Sequence, residues 1–228
     1  MSEAKRAAGR RAAEFVEDGM TVGLGTGSTV FYTLERLAER IEQESLAVRG
    51  IPTSRDTEEK ARALGIPLTS LAEIETIDLT IDGADEVDGG FQMIKGGGGA
   101  LLREKVVAAA SKREVIAVDR SKVVKRLGLR FLLPVEVVPF ARHSVARWME
   151  HLPAQPNLRM RDEGQVYRTD NGNEILDCRF PGGIADPAEL ERRLAAIPGI
   201  VESGLFVDLC HVLVVGDDAG SVEIRKKP

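Results

Sequence analysis

The chain has 228 residues, 43% of them hydrophobic and 29% charged, a balance that supplies a sizeable apolar core and excludes fibrous, collagenous and disordered classes. Its 31 basic and 36 acidic side chains leave a formal net charge of −5, which argues against an extended nucleic-acid surface. Cys178 and Cys210 are too few for a disulfide framework and form no CxxC pair, so a reducing, cytoplasmic setting is expected. No run approaches the roughly 18 consecutive apolar residues of a membrane-spanning helix. The opening AKRAAGRRAAEFV is basic and amphipathic, but Glu3, Glu14, Glu17 and Asp18 interrupt that composition, and it reads as a folded first helix rather than a targeting segment.

In chain order, TVGLG at 21 to 25 reads as a strand, followed by a helix over 28 to 44, a strand in VRGIPT and a helix in SRDTEEKARALG. A strand ending in LTIDGAD, a helix in GALLREKVVAAAS and a strand in EVIAVD continue the alternation. Strand and helix in turn imply a parallel sheet with helices outside it. Near residue 130 the pattern changes. FLLPVEVVPF is followed by a helical FARHSVARWMEHL, with Phe140 and Trp148 on its apolar face, and then by a hairpin-like RTDNGNEILDCRF containing Asn171-Gly172. ADPAELERRLAAIPG is a helix with Asp186 and Pro187 at the N-cap and first helical positions. The β-prone GLFVDLCHVLVVGD then returns to the first sheet. The expected architecture is α/β: a Rossmann-like parallel-sheet domain over 1–130 plus 205–228, and a small α+β domain over 131–204 inserted before the C-terminal strands.

Three segments carry candidate chemistry. GLGTGSTV, Gly23 to Val30, sits where a strand turns into a helix, and free N–H groups there favour an anion such as phosphate. Gly25 and Gly27 would let a ligand approach, while Thr26, Ser28 and Thr29 add hydroxyls. The spacing misses G-x-G-x-x-G and no P-loop lysine follows, which weakens a nucleotide-binding reading. The alternative is a glycine turn capped by Ser28 or Thr29. DLTIDGADEVD places Asp82 and Asp85 around Gly83-Ala84 at the carboxyl end of a strand, where open α/β sheets bind ligands. These carboxylates could orient hydroxyls, hold a metal or simply form a solvated turn, although the order of acids misses the EF-hand template.

The third segment, KGGGGALLREK, has four consecutive glycines, Gly96 to Gly99, whose conformational cost implies a close approach to the backbone. Lys95 precedes the loop and Glu104 lies on the following helix among Ala100, Leu101, Val107 and Ala108. A buried carboxylate has a raised pKa suited to proton shuttling, and a nearby cation can stabilise an oxyanion. That helix is apolar nearly all round, so periodicity does not separate Glu104 from Arg103 and Lys105 as the inward charge, and a surface glutamate remains open. His143, His151 and His211 show no metal-ligand spacing and suit capping, surface or core roles. Lys122, in VDRSK after a strand, and Lys5, on the first helix, could each reach the same crevice or be ordinary surface charges.

Taken in order, GLGTGST, TSRDTEEKARALGIPL, DGADEVD, KGGGGALLREK, DRSK, LPVEVVPFAR, DNGNEILD and IPGIVESGLF resemble ribose-5-phosphate isomerase of the A type over nearly the whole chain. The resemblance implies aldose–ketose isomerisation of ribose 5-phosphate without metal or organic cofactor, and a ferredoxin-like inserted domain. It also implies a homodimer or homotetramer acting on a small sugar phosphate, with no nucleic-acid or membrane partner. By the same resemblance Glu104 would be the general base, with Lys95 and the amides of Gly96, Gly97 and Gly98 stabilising an oxyanion. Asp82, Gly83, Ala84 and Asp85 would hold sugar hydroxyls and assist ring opening, while Thr26, Gly27, Ser28 and Thr29, with Lys5 and Lys122, would surround the phosphate. Gly99 and Arg120 depart from the alanines common in the family, and Gly99 is expected to loosen the start of the following helix. A non-catalytic sugar-phosphate sensor and an acyl or CoA transferase using Glu104 as nucleophile are the rival functions.

Overall fold

The computed structural model describes residues 2–227. In chain order its elements are α1 (Glu3–Ala13), β1 (Thr21–Leu24), α2 (Ser28–Glu44), β2 (Arg49–Pro52), α3 (Arg55–Ala63), β3 (Leu79–Asp82), β4 (Glu86–Val87), β5 (Met93–Ile94), α4 (Leu101–Ala109) and β6 (Glu114–Asp119). There follow β7 (Leu133–Val137), α5 (Arg142–Met149), β8 (Gln155–Leu158), β9 (Glu174–Arg179), α6 (Pro187–Ala195), β10 (Ile200–Ser203), β11 (Leu205–Phe206), β12 (Val212–Gly216) and β13 (Val222–Lys226). Local chemistry explains several boundaries. Ser54 caps α3 by accepting the Thr57 N–H at 3.1 Å, and Asp186 caps α6 by accepting the Glu189 N–H at 3.0 Å, with Pro187 in its first turn. Among the described residues no helix is long and apolar enough to cross a membrane.

The chain folds as two compact units. One comprises the residues up to Ala84, Arg103–Lys122 and those from Leu209 onward. Its six-stranded sheet has the order β13-β12-β6-β3-β1-β2, parallel except for the edge strand β13. Strands β1, β3 and β12 are buried along their whole length, which is why they read as apolar runs rather than alternating patterns. The β-prone tail does return to this sheet: Val212 pairs with Val115 and Val222 with Gly216. Residues including Val22, Leu34, Leu37, Ile81 and Val214 form its core.

The other unit comprises Asp85–Leu102 and Val123–Asp208. The succession β7-α5-β8-β9-α6-β10 and the antiparallel order β10-β7-β9-β8 make its larger sheet ferredoxin-like. Its core includes Val135, Met149, Leu176 and Leu194. A second, three-stranded sheet of order β11-β5-β4 belongs to the same unit. This unit therefore takes in residues 85–102, 123–130 and 205–208, which the sequence reading assigned to the first domain. The reason is pairing that two-residue strands do not announce: β5 pairs with both β4 and β11, and the Val124 N–H reaches the Val87 carbonyl at 2.8 Å. The buried Glu86 carboxylate also accepts the N–H groups of Gly128, Arg130 and Phe131 at 2.6, 3.0 and 2.8 Å.

One apolar-face expectation fails. Phe140 lies in a short 3-10 turn ahead of α5 and is 98% exposed, and Trp148 is 38% exposed. The inward residues of α5 are Val145 and Met149.

Candidate active site

In the first unit, the GLGTGST segment leaves β1 and enters α2. Gly25 donates its N–H to the Ile81 carbonyl at 2.9 Å, and a Cβ there would fall on the Asp82 carboxylate. Gly25 thus makes room for a protein side chain, the Asp82 carboxylate. The fully buried Asp82, at the end of β3, accepts the N–H groups of Thr26 at 3.0 Å and Gly83 at 2.7 Å through Oδ1. One carboxylate oxygen is therefore spent on holding two loops together at the carboxyl end of the sheet.

The Thr26 hydroxyl lies 2.8 Å from those of Thr53 and Ser54, and the Thr57 hydroxyl donates to the Gly25 carbonyl at 2.8 Å. The Thr26 hydroxyl thereby fastens the loop to the segment that begins α3. Thr53, Ser54 and Thr57 were missed as site residues, although the TSRDT run that carries them was visible. Gly27, at φ 123°, is the N-cap of α2 and supplies no side-chain cap, so neither Ser28 nor Thr29 is the cap. Ser28 is exposed, Thr29 is half-buried, and Ser28 Oγ accepts a hydrogen bond from Lys5 Nζ at 3.0 Å. The first helix and the TGST loop are therefore brought together.

Lys122 ends a short 3-10 turn that follows β6. Lys5, Arg120 and Lys122 line a cavity of about 570 Å³, together with Asp119, Asp217 and Asp218. Three cations and three carboxylates share this space, and the Asp119 carboxylate also accepts the Ser121 N–H at 2.9 Å. Glu104 belongs to this unit and is only 5% exposed on α4, whereas Arg103 and Lys105 are half-buried. Burial thus distinguishes the inward charge that helical periodicity left undecided.

The second unit contains Asp85, Lys95 and the glycine loop. Lys95 follows β5, is 1% exposed, and places its ammonium 5.3 Å from the centroid of the Phe206 ring. Such a buried cation is favoured by the ring's negative face. Asp85 Oδ2 accepts the Gly97 N–H at 2.7 Å, which ties the loop to that carboxylate. Gly96 and Gly99 have φ values of 97° and 83°, which L side chains disfavour. Gly99 precedes α4 rather than loosening it, and a Cβ there would collide with the Tyr167 ring. Gly98 is exposed; Ala84 and Gly83, of the first unit, are half-buried.

The three histidines are all exposed and scattered: His211 Nδ1 accepts the Glu114 N–H at 3.0 Å, while His143 contacts Arg142 and His151 contacts the Arg147 carbonyl. No group of three His, Cys, Asp or Glu side chains that could hold a metal gathers among the described residues.

A family model described as ribose 5-phosphate isomerase A (phosphoriboisomerase A) matches residues 49–220. The ribose-5-phosphate isomerase A of Gloeobacter violaceus is 56% identical over 95% of this chain and 93% of its own. That of Listeria innocua is 48% identical over the whole of both chains. Among solved structures, a D-ribose-5-phosphate isomerase in complex with phospho-erythronic acid aligns with a TM-score of 0.93 at 36% identity, covering 97% of each chain.

Proposed function

The chain belongs to the ribose-5-phosphate isomerase A family, and from that premise we propose that it interconverts D-ribose 5-phosphate and D-ribulose 5-phosphate through an enediolate, within the non-oxidative pentose phosphate pathway and without metal or organic cofactor. The observation that carries the mechanism is the burial of two opposite charges joined by one glycine loop, Lys95 at 1% exposure and Glu104 at 5%. An ordinary loop does not require such burial of charge. The phosphorylated sugar acid held by the relative's structure supports a ligand of the same class here.

In the proposed reaction the Glu104 carboxylate removes the proton from C2 of the open-chain aldose, and the electron pair of that bond forms the C1=C2 bond. Negative charge then develops on O1, where the Lys95 ammonium and glycine-loop amides stabilise it. The proton of the C2 hydroxyl transfers to O1, a carbonyl forms at C2, and Glu104 returns its proton to C1. One carboxylate serves both carbons because they are adjacent. Asp82 and Asp85 hold sugar hydroxyls and assist ring opening, while the TGST loop, Lys5 and Lys122 surround the phosphate. The link between Lys5 and Ser28 supports that grouping. The same reading puts the enzyme in the cytoplasm as a homodimer or homotetramer.

The test is conversion of ribose 5-phosphate by the purified chain with EDTA present. Ribulose 5-phosphate should accumulate to equilibrium. Sugar-phosphate binding without turnover would identify a sensor, and consumption of a CoA thioester would identify a transferase.

A further inference from the structure

Within the second unit, one side chain grips the glycine loop from a strand far along the sequence. Arg159, which follows β8, donates through Nη1 to the carbonyl oxygens of Gly96 and Gly97, both at 3.1 Å. Its Nε and Nη2 form a fork on Asp177 of β9, at 2.8 and 2.5 Å. Arg159 is 13% exposed and Asp177 18%, so solvent competes little for this pair. The guanidinium carbon lies 5.6 Å from the Tyr167 ring centroid, and the Tyr167 hydroxyl donates to the Gly98 carbonyl at 3.1 Å. Three consecutive carbonyls of a glycine-rich segment are therefore anchored by two side chains.

Anchoring a carbonyl also sets the next amide. A trans peptide is planar, with its N–H directed opposite to its C=O. Fixing the Gly96 carbonyl thus aims the Gly97 N–H away from Arg159, and that N–H meets Asp85 Oδ2 at 2.7 Å. By the same geometry, fixing the Gly97 carbonyl aims the Gly98 N–H. We infer that Arg159, itself held by Asp177, is a positioning residue for isomerisation, setting both the Asp85 carboxylate and the Gly98 amide that meets the developing oxyanion. Lysine cannot replace it, because a single ammonium does not form a planar fork on Asp177 while bonding two carbonyls.

This inference rests on the isomerase reading, so the wild type is measured beside the variants. Arg159→Gln should lower kcat about 10- to 100-fold, the scale expected when reacting groups are misplaced by roughly an ångström, with KM for ribose 5-phosphate little changed. Arg159→Lys should fail to restore kcat, and Asp177→Asn should lower it in the same way. Tyr167→Phe, which removes one of the three carbonyl contacts, should have the smallest effect. Amide exchange read by ¹⁵N-glycine NMR supplies an activity-independent test: the Gly97 N–H should exchange faster in Arg159→Gln and Arg159→Lys than in wild type.

A folded Arg159→Gln or Arg159→Lys protein with wild-type kcat and wild-type Gly97 exchange would overturn the inference. So would a loss of kcat that merely follows the unfolded fraction. If Arg159→Gln does not fold, Arg159→Lys and Asp177→Asn decide by the same criteria. A wild type inactive on ribose 5-phosphate, yet showing the expected exchange difference, would instead remove the isomerase reading and leave the loop anchoring standing.

Discussion

The two glycine-bearing loops, TGST in the first unit and KGGGG in the second, are held by different means. The TGST loop is fastened by neutral hydroxyls of Thr53, Ser54 and Thr57, and by Asp82 through the Thr26 amide. Several weak bonds share that task, and each net hydrogen bond contributes only about 1 kcal/mol. The KGGGG loop is held largely by Arg159, whose single Nη1 bonds two carbonyls, and by Asp85 and Tyr167. Shared fastening tolerates the loss of a member, whereas concentrated fastening does not. Perturbing the second loop should therefore affect the reaction more than perturbing the first.

The largest effects belong to Lys95, which opens the KGGGG loop, and to Glu104, on the helix that follows it. Lys95→Ala should lower kcat by about 10²- to 10³-fold, the usual cost of losing an oxyanion donor, and Glu104→Gln should lower it further. Steady-state kinetics at saturating substrate checks both. Next comes Gly97→Ala, whose Cβ would lie 2.7 Å from Asp85 Oδ1 and 2.8 Å from the Phe131 ring, displacing the loop or the carboxylate. A kcat loss of about 10²-fold is expected, with a nearly native melting temperature.

Thr26→Val, in the other loop, should cost about 1–3 kcal/mol of stability by unpairing hydroxyl partners, with a smaller kcat change than Gly97→Ala. Denaturant unfolding and kinetics on the same samples would reveal a reversal of that order, which would break the comparison between the loops. The smallest effect concerns a residue in neither loop. Burial pushes the Cys178 thiol far above its ordinary value, so the neutral form persists across the working pH range. Alkylation at pH 8 followed by mass spectrometry should find Cys178 unmodified until the protein unfolds.

Much of the first unit was legible because parallel strands buried on both faces produce apolar runs such as LTID and EVIAVD, and the intervening helices have their own period. Strands β4, β5 and β11 were not, since two residues establish no periodicity and the pairing of β5 with β11 joins segments more than a hundred residues apart. The glycine motifs were visible for a related reason: positive φ at Gly96 and Gly99 demands glycine in the sequence itself. What each glycine accommodates was not visible. Gly25 makes room for Asp82 and Gly99 for Tyr167, both long-range contacts. Arg159 gave no local signal, because an arginine between a strand and a polar loop looks like any surface charge until Asp177 and the loop carbonyls surround it.

Proton transfer by Glu104 is tested most directly by following deuterium from heavy water into ribulose 5-phosphate, comparing wild type with Glu104→Gln in the presence of EDTA. Solvent label at C1 in the wild-type product, with turnover and label uptake both lost in a folded Glu104→Gln variant, is the predicted result. Near-normal turnover in that variant would contradict it.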